Sequence, residues 1–230
     1  MKYPPEWRKV IFVEPIFPKW TNKLPVLLGI GIPVLLVFVV FFIWYYFSPK
    51  YLAEGYQPQQ PILFSHKLHA GQMGMDCRYC HSTVEKTAFA ALPSTATCMG
   101  CHNKVLPNSP LLQPLRDSWK NKTPIAWVHV HALPRYSHFD HSAHLSAGVG
   151  CVTCHARVDK MDVVYQASPL SMGWCLECHR NPIPNLRPQS EITNMAYDPV
   201  AAATRYNPHT DPNRKQSIIQ PPEACGACHY

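Results

Sequence analysis

Five copies of one short motif constrain this chain more than anything else in it. Cys-x-x-Cys-His occurs at Cys77, Cys80 and His81; at Cys98, Cys101 and His102; at Cys151, Cys154 and His155; at Cys175, Cys178 and His179; and at Cys225, Cys228 and His229. Together these use all ten cysteines. The pattern is the attachment signature of c-type haem: two thiols form thioethers to the vinyl groups, and the adjacent histidine sits under the iron. Zinc would take two pairs per ion and leave one pair over, and a thioredoxin-like redox centre would need one pair beside a βαβ pattern. A disulfide framework would not require histidine after each pair. The motif therefore predicts five covalent haem c groups, numbered here as sites 1 to 5 in chain order.

Composition agrees with a chain that packs on something other than its own side chains. It holds 24 prolines in 230 residues and only 15% charged residues, too much proline for a helical bundle or a doubly wound sheet. Macrocycles would supply the apolar surface that a sparse side-chain core lacks. Short helices are expected after the attachment motifs, placing each histidine at a helix start, and residues 182–223 read as a long loop. The formal charge of +7 is offset by roughly ten propionate charges if five haems are bound, so it gives no support to nucleic-acid binding.

Val26 to Phe47 carries no charged or strongly polar side chain. As a helix it spans about 30 Å, the thickness of a bilayer's hydrocarbon core. Pro33 is expected to kink it modestly, and Trp44, Tyr45 and Tyr46 stand at one end, where aromatic rings favour the headgroups. A signal peptide would be shorter and end at a small-residue cleavage site. Lys2, Arg8, Lys9, Lys19 and Lys23 outnumber Glu6 and Glu14 in the preceding arm, which assigns that arm to the cytoplasm and the rest to the far side. Three regions follow: a cytoplasmic arm over 1–23, suited to lie along partner subunits, a transmembrane anchor over 24–47, and an extracytoplasmic domain over 48–230. The localisation expected is the inner membrane, single-pass, with the haem domain periplasmic.

The outer domain repeats itself. Phe64-Ser65-His66-Lys67-Leu68-His69 precedes site 1, and Phe139-Asp140-His141-Ser142-Ala143-His144 precedes site 3. Each is followed by two attachment motifs, giving dihaem units 64–102 and 139–179 and a terminal haem at 225–229. In Phe-x-His-x-x-His the imidazoles lie three residues apart, so one helical turn presents them to two different haems. His66 and His141 are assigned to the first iron of their own unit, and His69 and His144 to another iron. His131 is assigned to the fifth, with His129 as the alternative, while His138 and His209 read as ordinary surface or hydrogen-bonded side chains. Met161, Met172 and Met195 are the thioethers that could replace one histidine and raise one potential. With distal candidates for every iron, conduction is favoured over substrate reduction at an open haem.

The stretch FSHKLHAGQMGMDCRYCHSTVEK…LPSTATCMGCH, from Phe64 to His102, resembles the class III, multihaem cytochrome c pattern. With VHALPRYSHFDHSAH…GVGCVTCHARVDKMDVVYQASPLSMGWCLECHR, from Val130 to Arg180, it resembles the pentahaem subunit of bacterial alternative complex III. That resemblance implies a multihaem cytochrome c fold of short helices and irregular loops packed on haems, with one N-terminal transmembrane helix. It implies an electron-transfer subunit rather than a catalyst on its own, within a respiratory or photosynthetic complex that oxidises quinol and serves a periplasmic acceptor. The partners implied are integral membrane quinol-binding subunits, an iron–sulfur subunit and a monohaem cytochrome c. The acceptor would be a soluble cytochrome, a copper protein or an oxidase. Two other classes compete: a self-sufficient quinol dehydrogenase of the anchored tetrahaem kind, which lacks the doubled Phe-x-His-x-x-His unit, and a multihaem reductase of small nitrogen or sulfur compounds.

Overall fold

The computed structural model describes residues 16–198, 201, 206–212 and 220–229. Most of the N-terminal arm, residues 1–15, and parts of the 182–223 segment lie outside the described residues. The chain divides into two units, Met1–Ser48 and Pro49–Tyr230.

The first unit is built around α1 (Leu24–Tyr46), entered through a 3₁₀ turn over Lys19–Lys23. It is the one helix among the described residues long and apolar enough to cross a membrane. Large aliphatic and aromatic side chains face outward all around it, which in water would be strongly unfavourable and in lipid is the stable arrangement. The helix runs through Pro33 without interruption. Near its C-terminal end Phe42 packs on Tyr46 at 4.5 Å and Tyr45 lies edge-on to Tyr46 at 5.2 Å.

The second unit is short helices joined by irregular chain, with no strand among the described residues and two isolated bridges, Ser137 with His229 and Val149 with Leu186. After α2 (Pro49–Ala53), the helices are α3 (Cys77–Cys80), α4 (Thr95–His102), α5 (Gln113–Asn121), α6 (His141–Ser146), α7 (Cys151–His155), α8 (Met172–Arg180) and α9 (Cys225–Cys228). Five of these carry the attachment motifs, and the relation is the reverse of the sequence expectation. Each histidine closes or follows its helix: His102 and His155 are last residues, His179 is last but one, and His81 and His229 stand just beyond. The reason is spacing. Cysteines three apart share one face only if the turn joining them is helical, so the helix begins at or before the first cysteine. Extended residues before the helices make the starts abrupt, and the side chains of Asp76 and Ser171 cap α3 and α8.

The side-chain core is small. Val84, Leu145 and Ile192 form its centre, with Ala90 and Cys151 packed against it. Residues 182–198 are more than a loop: they form two 3₁₀ turns, Ile183–Asn185 and Gln189–Glu191, and bury Leu186, Arg187, Ile192 and Met195.

The two repeats are zipped together. Lys67–Gln72 winds as one turn of π-helix, with the Met73 amide donating to the Leu68 carbonyl, a local form often found at functional sites. This turn lies against the 3₁₀ turn Val158–Lys160. The Lys67 amide donates to the Met161 carbonyl at 3.0 Å, and Lys67 Nζ and the Ser65 hydroxyl reach Asp162 at 3.0 and 3.1 Å.

Candidate functional site

The histidines of the repeated motif stand opposite the histidines of the attachment motifs. His69 lies 6.2 Å from His102, His144 lies 6.1 Å from His179, and His141 lies 6.5 Å from His155, measured between ring centroids. The last two rings are parallel within 6°. Such separations are too long for direct stacking. They are what two imidazoles show when a metal about 2 Å from each Nε2 sits between them, which puts the centroids roughly 6 Å apart. In each motif Phe64 or Phe139 stacks on the second histidine, at 4.4 and 4.6 Å, and meets the first edge-on. The two halves thus use the same aromatic wedge to fix both rings.

Orientation comes from the backbone. Seven imidazoles place Nδ1 on a main-chain carbonyl: His69 on Ser65, His81 on Ala91, His102 on Val105, His141 on Ala88, His144 on Asp140, His179 on Pro222 and His229 on Tyr136, at 2.7 to 3.3 Å. A carbonyl can only accept, so Nδ1 carries the proton and the Nε2 lone pair is left to face a metal. Two buried ring nitrogens, His66 Nδ1 and His131 Nε2, have no hydrogen-bond partner among the described residues.

Burial favours the neutral form of His66, His131, His144 and His155. His155 is pushed down to about 3 and His66 to about 4, chiefly by burial and then by the neighbouring imidazoles of His131 and His81. Burial lowers His131 and His144 as well. A neutral imidazole is the form that binds metal. Among the thiols, the neighbouring Cys151 holds Cys77 below its ordinary value, while burial pushes Cys154 up to about 12.

That thiol contact shows how the sites are arranged. Site 1 meets site 3 through Cys77 and Cys151, and through the segment whose Ala88 carbonyl holds His141 while its Ala91 carbonyl holds His81. His179 of site 4 takes the Pro222 carbonyl, and the adjacent Arg180 pairs with Glu223 at 3.2 Å, which brings site 5 to site 4. The two repeats therefore meet at sites 1 and 3, and the terminal site lies against site 4.

The fifth site is less symmetrical. His131 packs edge-on against His155 at 4.5 Å, while the chain beside His229 is Tyr136 to His138, the His138 amide donating to the Cys228 carbonyl at 2.8 Å. The segment from His131 to His138 thus runs from site 3 to site 5. Of the methionines, Met161 and Met195 are buried and Met172 is exposed at the start of α8.

Comparison with known proteins bears on what these residues hold. Residues 62–113 match the family described as cytochrome c7 and related cytochrome c. The chain is also 33% identical over 173 residues to the menaquinone reductase multiheme cytochrome c subunit of Nitratidesulfovibrio vulgaris Hildenborough, covering 66% of this chain and 79% of that one. The chain belongs to the multihaem cytochrome c family. It is an electron-transport protein that carries covalent haem c, in a cytochrome c7-like fold of helices and loops.

The multihaem cytochrome's residues fit that group on structural grounds. Paired thiols one helical turn apart, opposed imidazoles 6.1 to 6.5 Å apart and Nε2 atoms freed by carbonyl-bound Nδ1 are what an axially ligated, thioether-linked haem requires. The carbonyl partners went unnoticed in the sequence because any residue supplies a carbonyl. The one visible hint was the pair of aromatics opening the two motifs.

Helix α6 offers a test of this support. Asp140 caps it, accepting from the Ser142 and Ala143 amides and from the Ser142 hydroxyl, and its carbonyl also holds His144. Asp140→Ala is expected to destabilise the protein by about 1 kcal/mol and to broaden the low-spin signals of two haems. Thermal unfolding followed at the Soret band, with EPR of the oxidised protein, measures both.

Proposed function

We propose that this chain is the electron-transfer subunit of a membrane quinol-oxidising respiratory or photosynthetic complex. It serves a periplasmic acceptor through five covalent haems and catalyses nothing alone. The opposed histidine pairs carry this reading. Ten cysteines would attach the five groups. His81, His102, His155, His179 and His229 would ligate one side of each iron, and His66, His69, His131, His141 and His144 the other. His66 with His81 and His141 with His155 would hold the first haem of each unit, and His69 with His102 and His144 with His179 would hold the second. The fifth would take His131, or else His129. Haem c supplies a one-electron couple at each iron. The protein's part would be to fix two imidazoles for each haem, leaving no open coordination position for a substrate.

The arrangement proposed is a cytoplasmic arm over 1–23, an anchor over 24–47 and a periplasmic haem domain over 48–230. The outward-facing apolar surface of α1 supports the anchor. The partners proposed are those of alternative complex III: integral membrane quinol-binding subunits, an iron–sulfur subunit and a monohaem cytochrome c. The acceptor would be a soluble cytochrome, copper protein or oxidase.

The relative's name favours a second reading, in which electrons run the other way and quinone is reduced. A chain of closed haems conducts in either direction, so the partner sets the sense. Gentle solubilisation and co-purification test the proposal. The complex should contain five haems per copy of this chain by pyridine haemochrome, and should reduce a soluble cytochrome when given quinol. Quinol oxidation by the isolated chain would refute it, as would carbon monoxide binding to a native haem. Faster quinone reduction than quinol oxidation would establish the second reading.

A further inference from the structure

Arg187 is the most deeply buried large side chain described, 2% exposed, and it lies against the attachment motif of site 3. Its guanidinium occupies the space a Cβ would need at Gly150: any side chain there would overlap Cζ, Nε and Nη1. Gly150 immediately precedes Cys151 and begins α7. The cation is fixed on several sides. Its amide donates to the Gly148 carbonyl at 2.9 Å, Nη1 donates to the Asn194 carbonyl at 3.2 Å, and the group lies over the Tyr197 ring at 4.6 Å. The surrounding backbone is tied to the same place, with Val149 bridged to Leu186 and the Cys151 amide donating to the Ile192 carbonyl.

Burying a guanidinium is unfavourable, and burial does push its pKa down. Packing alone would be served by a neutral side chain of similar volume. Its charged and titratable neighbours are Glu191, Tyr197 and Cys151. The Glu191 carboxylate is itself held by Asn194 Nδ2 at 2.7 Å. With the side chain 2% exposed, its charge is only weakly screened where it faces Cys151.

We infer that Arg187 is a positioning residue for site 3: its buried cation, seated on Gly150, raises the reduction potential of the haem bound through Cys151 and Cys154. A positive charge beside the macrocycle favours the reduced iron, whether it acts through space or by pairing with a propionate. The inference rests on the reading that site 3 carries a haem. It explains why glycine stands before Cys151, since the guanidinium needs that space.

Potentiometric titration of the purified holo-complex, followed by EPR and visible spectra, tests it. Arg187→Met should lower one haem midpoint and leave the others in place, and Arg187→Lys should keep most of the wild-type value. Gly150→Ala, which displaces the guanidinium while retaining it, should shift the same midpoint downward, and serves if Arg187→Met does not accumulate. Unchanged midpoints in Arg187→Met or Gly150→Ala holoprotein would overturn the inference. So would equal shifts in the Met and Lys variants, the mark of a purely structural role. A wild-type haem count other than five contradicts the proposed function; five haems with a silent Arg187 contradicts this inference alone.

Discussion

Removing residues 220–230 is expected to disturb two haems while deleting only one. The deletion takes Cys225, Cys228 and His229, and with them the fifth attachment site. It also takes the Pro222 carbonyl, which accepts from His179 Nδ1 at 2.7 Å, and Glu223, which pairs with Arg180. Without that acceptor the site 4 imidazole loses the bond that fixes its tautomer, a change that typically weakens metal ligation 10–100-fold. The haem count should fall from five to four. Of the four that remain, one should show altered low-spin EPR features and a shifted midpoint, while the haems of sites 1, 2 and 3 keep theirs. Four unchanged signals would mean that site 4 does not depend on the C-terminal segment.

The second large effect is expected at Gly71. This residue lies in the π-helical turn that carries His69, and a Cβ there would overlap the Asp159 carbonyl oxygen. Backbone faces backbone, and Asp159 is clamped by Arg157 at 2.6 and 2.7 Å, so neither side can yield as a flexible side chain would. Gly71→Ala should therefore destabilise the haem domain by about 1–3 kcal/mol, the usual range for overpacking. It should also move His69 relative to His102, 6.2 Å away, and perturb the site 2 haem most. Gly173→Ala is the control, because a Cβ at that helical position meets nothing within 4 Å. It should be neutral or stabilising by roughly 0.5–1 kcal/mol. Chemical denaturation followed at the Soret band compares the two. Equal stability of the two variants would argue against a rigid zip between the repeats.

The chemistry of this chain was legible because its functional groups are rare residues at fixed spacing. Cysteine pairs one turn apart, and histidines three apart behind a phenylalanine, can be read directly. The repeat pointed to two imidazoles per turn serving two different haems; the structure sets His69 opposite His102, His144 opposite His179 and His141 opposite His155. The apolar run ending in Trp44, Tyr45 and Tyr46 likewise announced α1. The place of each motif histidine at the end of its helix is not visible in the sequence, because Cys-x-x-Cys-His carries no sign of the side on which the helix lies. The carbonyls of Ala88, Ala91 and Pro222 left no trace in the sequence, since a main-chain oxygen belongs to every residue and only the fold chooses which one is used. Arg187 was hidden for a different reason: it stands among prolines and polar residues that read as loop, yet that segment supplies Leu186, Ile192 and Met195 to the interior.

The carbonyls that orient the imidazoles are also dated by the order of synthesis. Those serving His102 and His81 follow within a few to about ten residues, and those serving His69 and His144 lie one turn earlier. The Ala88 oxygen that holds His141 is made long before it, and so is the Tyr136 oxygen that waits for His229. His179 is the exception, for Pro222 is made 43 residues after it. Synthesis from the N-terminus thus completes the other six supports close to the appearance of their histidines, whereas His179 waits for a segment 43 residues further on. The fourth site is therefore the one whose histidine is oriented by chain made well after it, and its support depends on the 220–223 segment folding back.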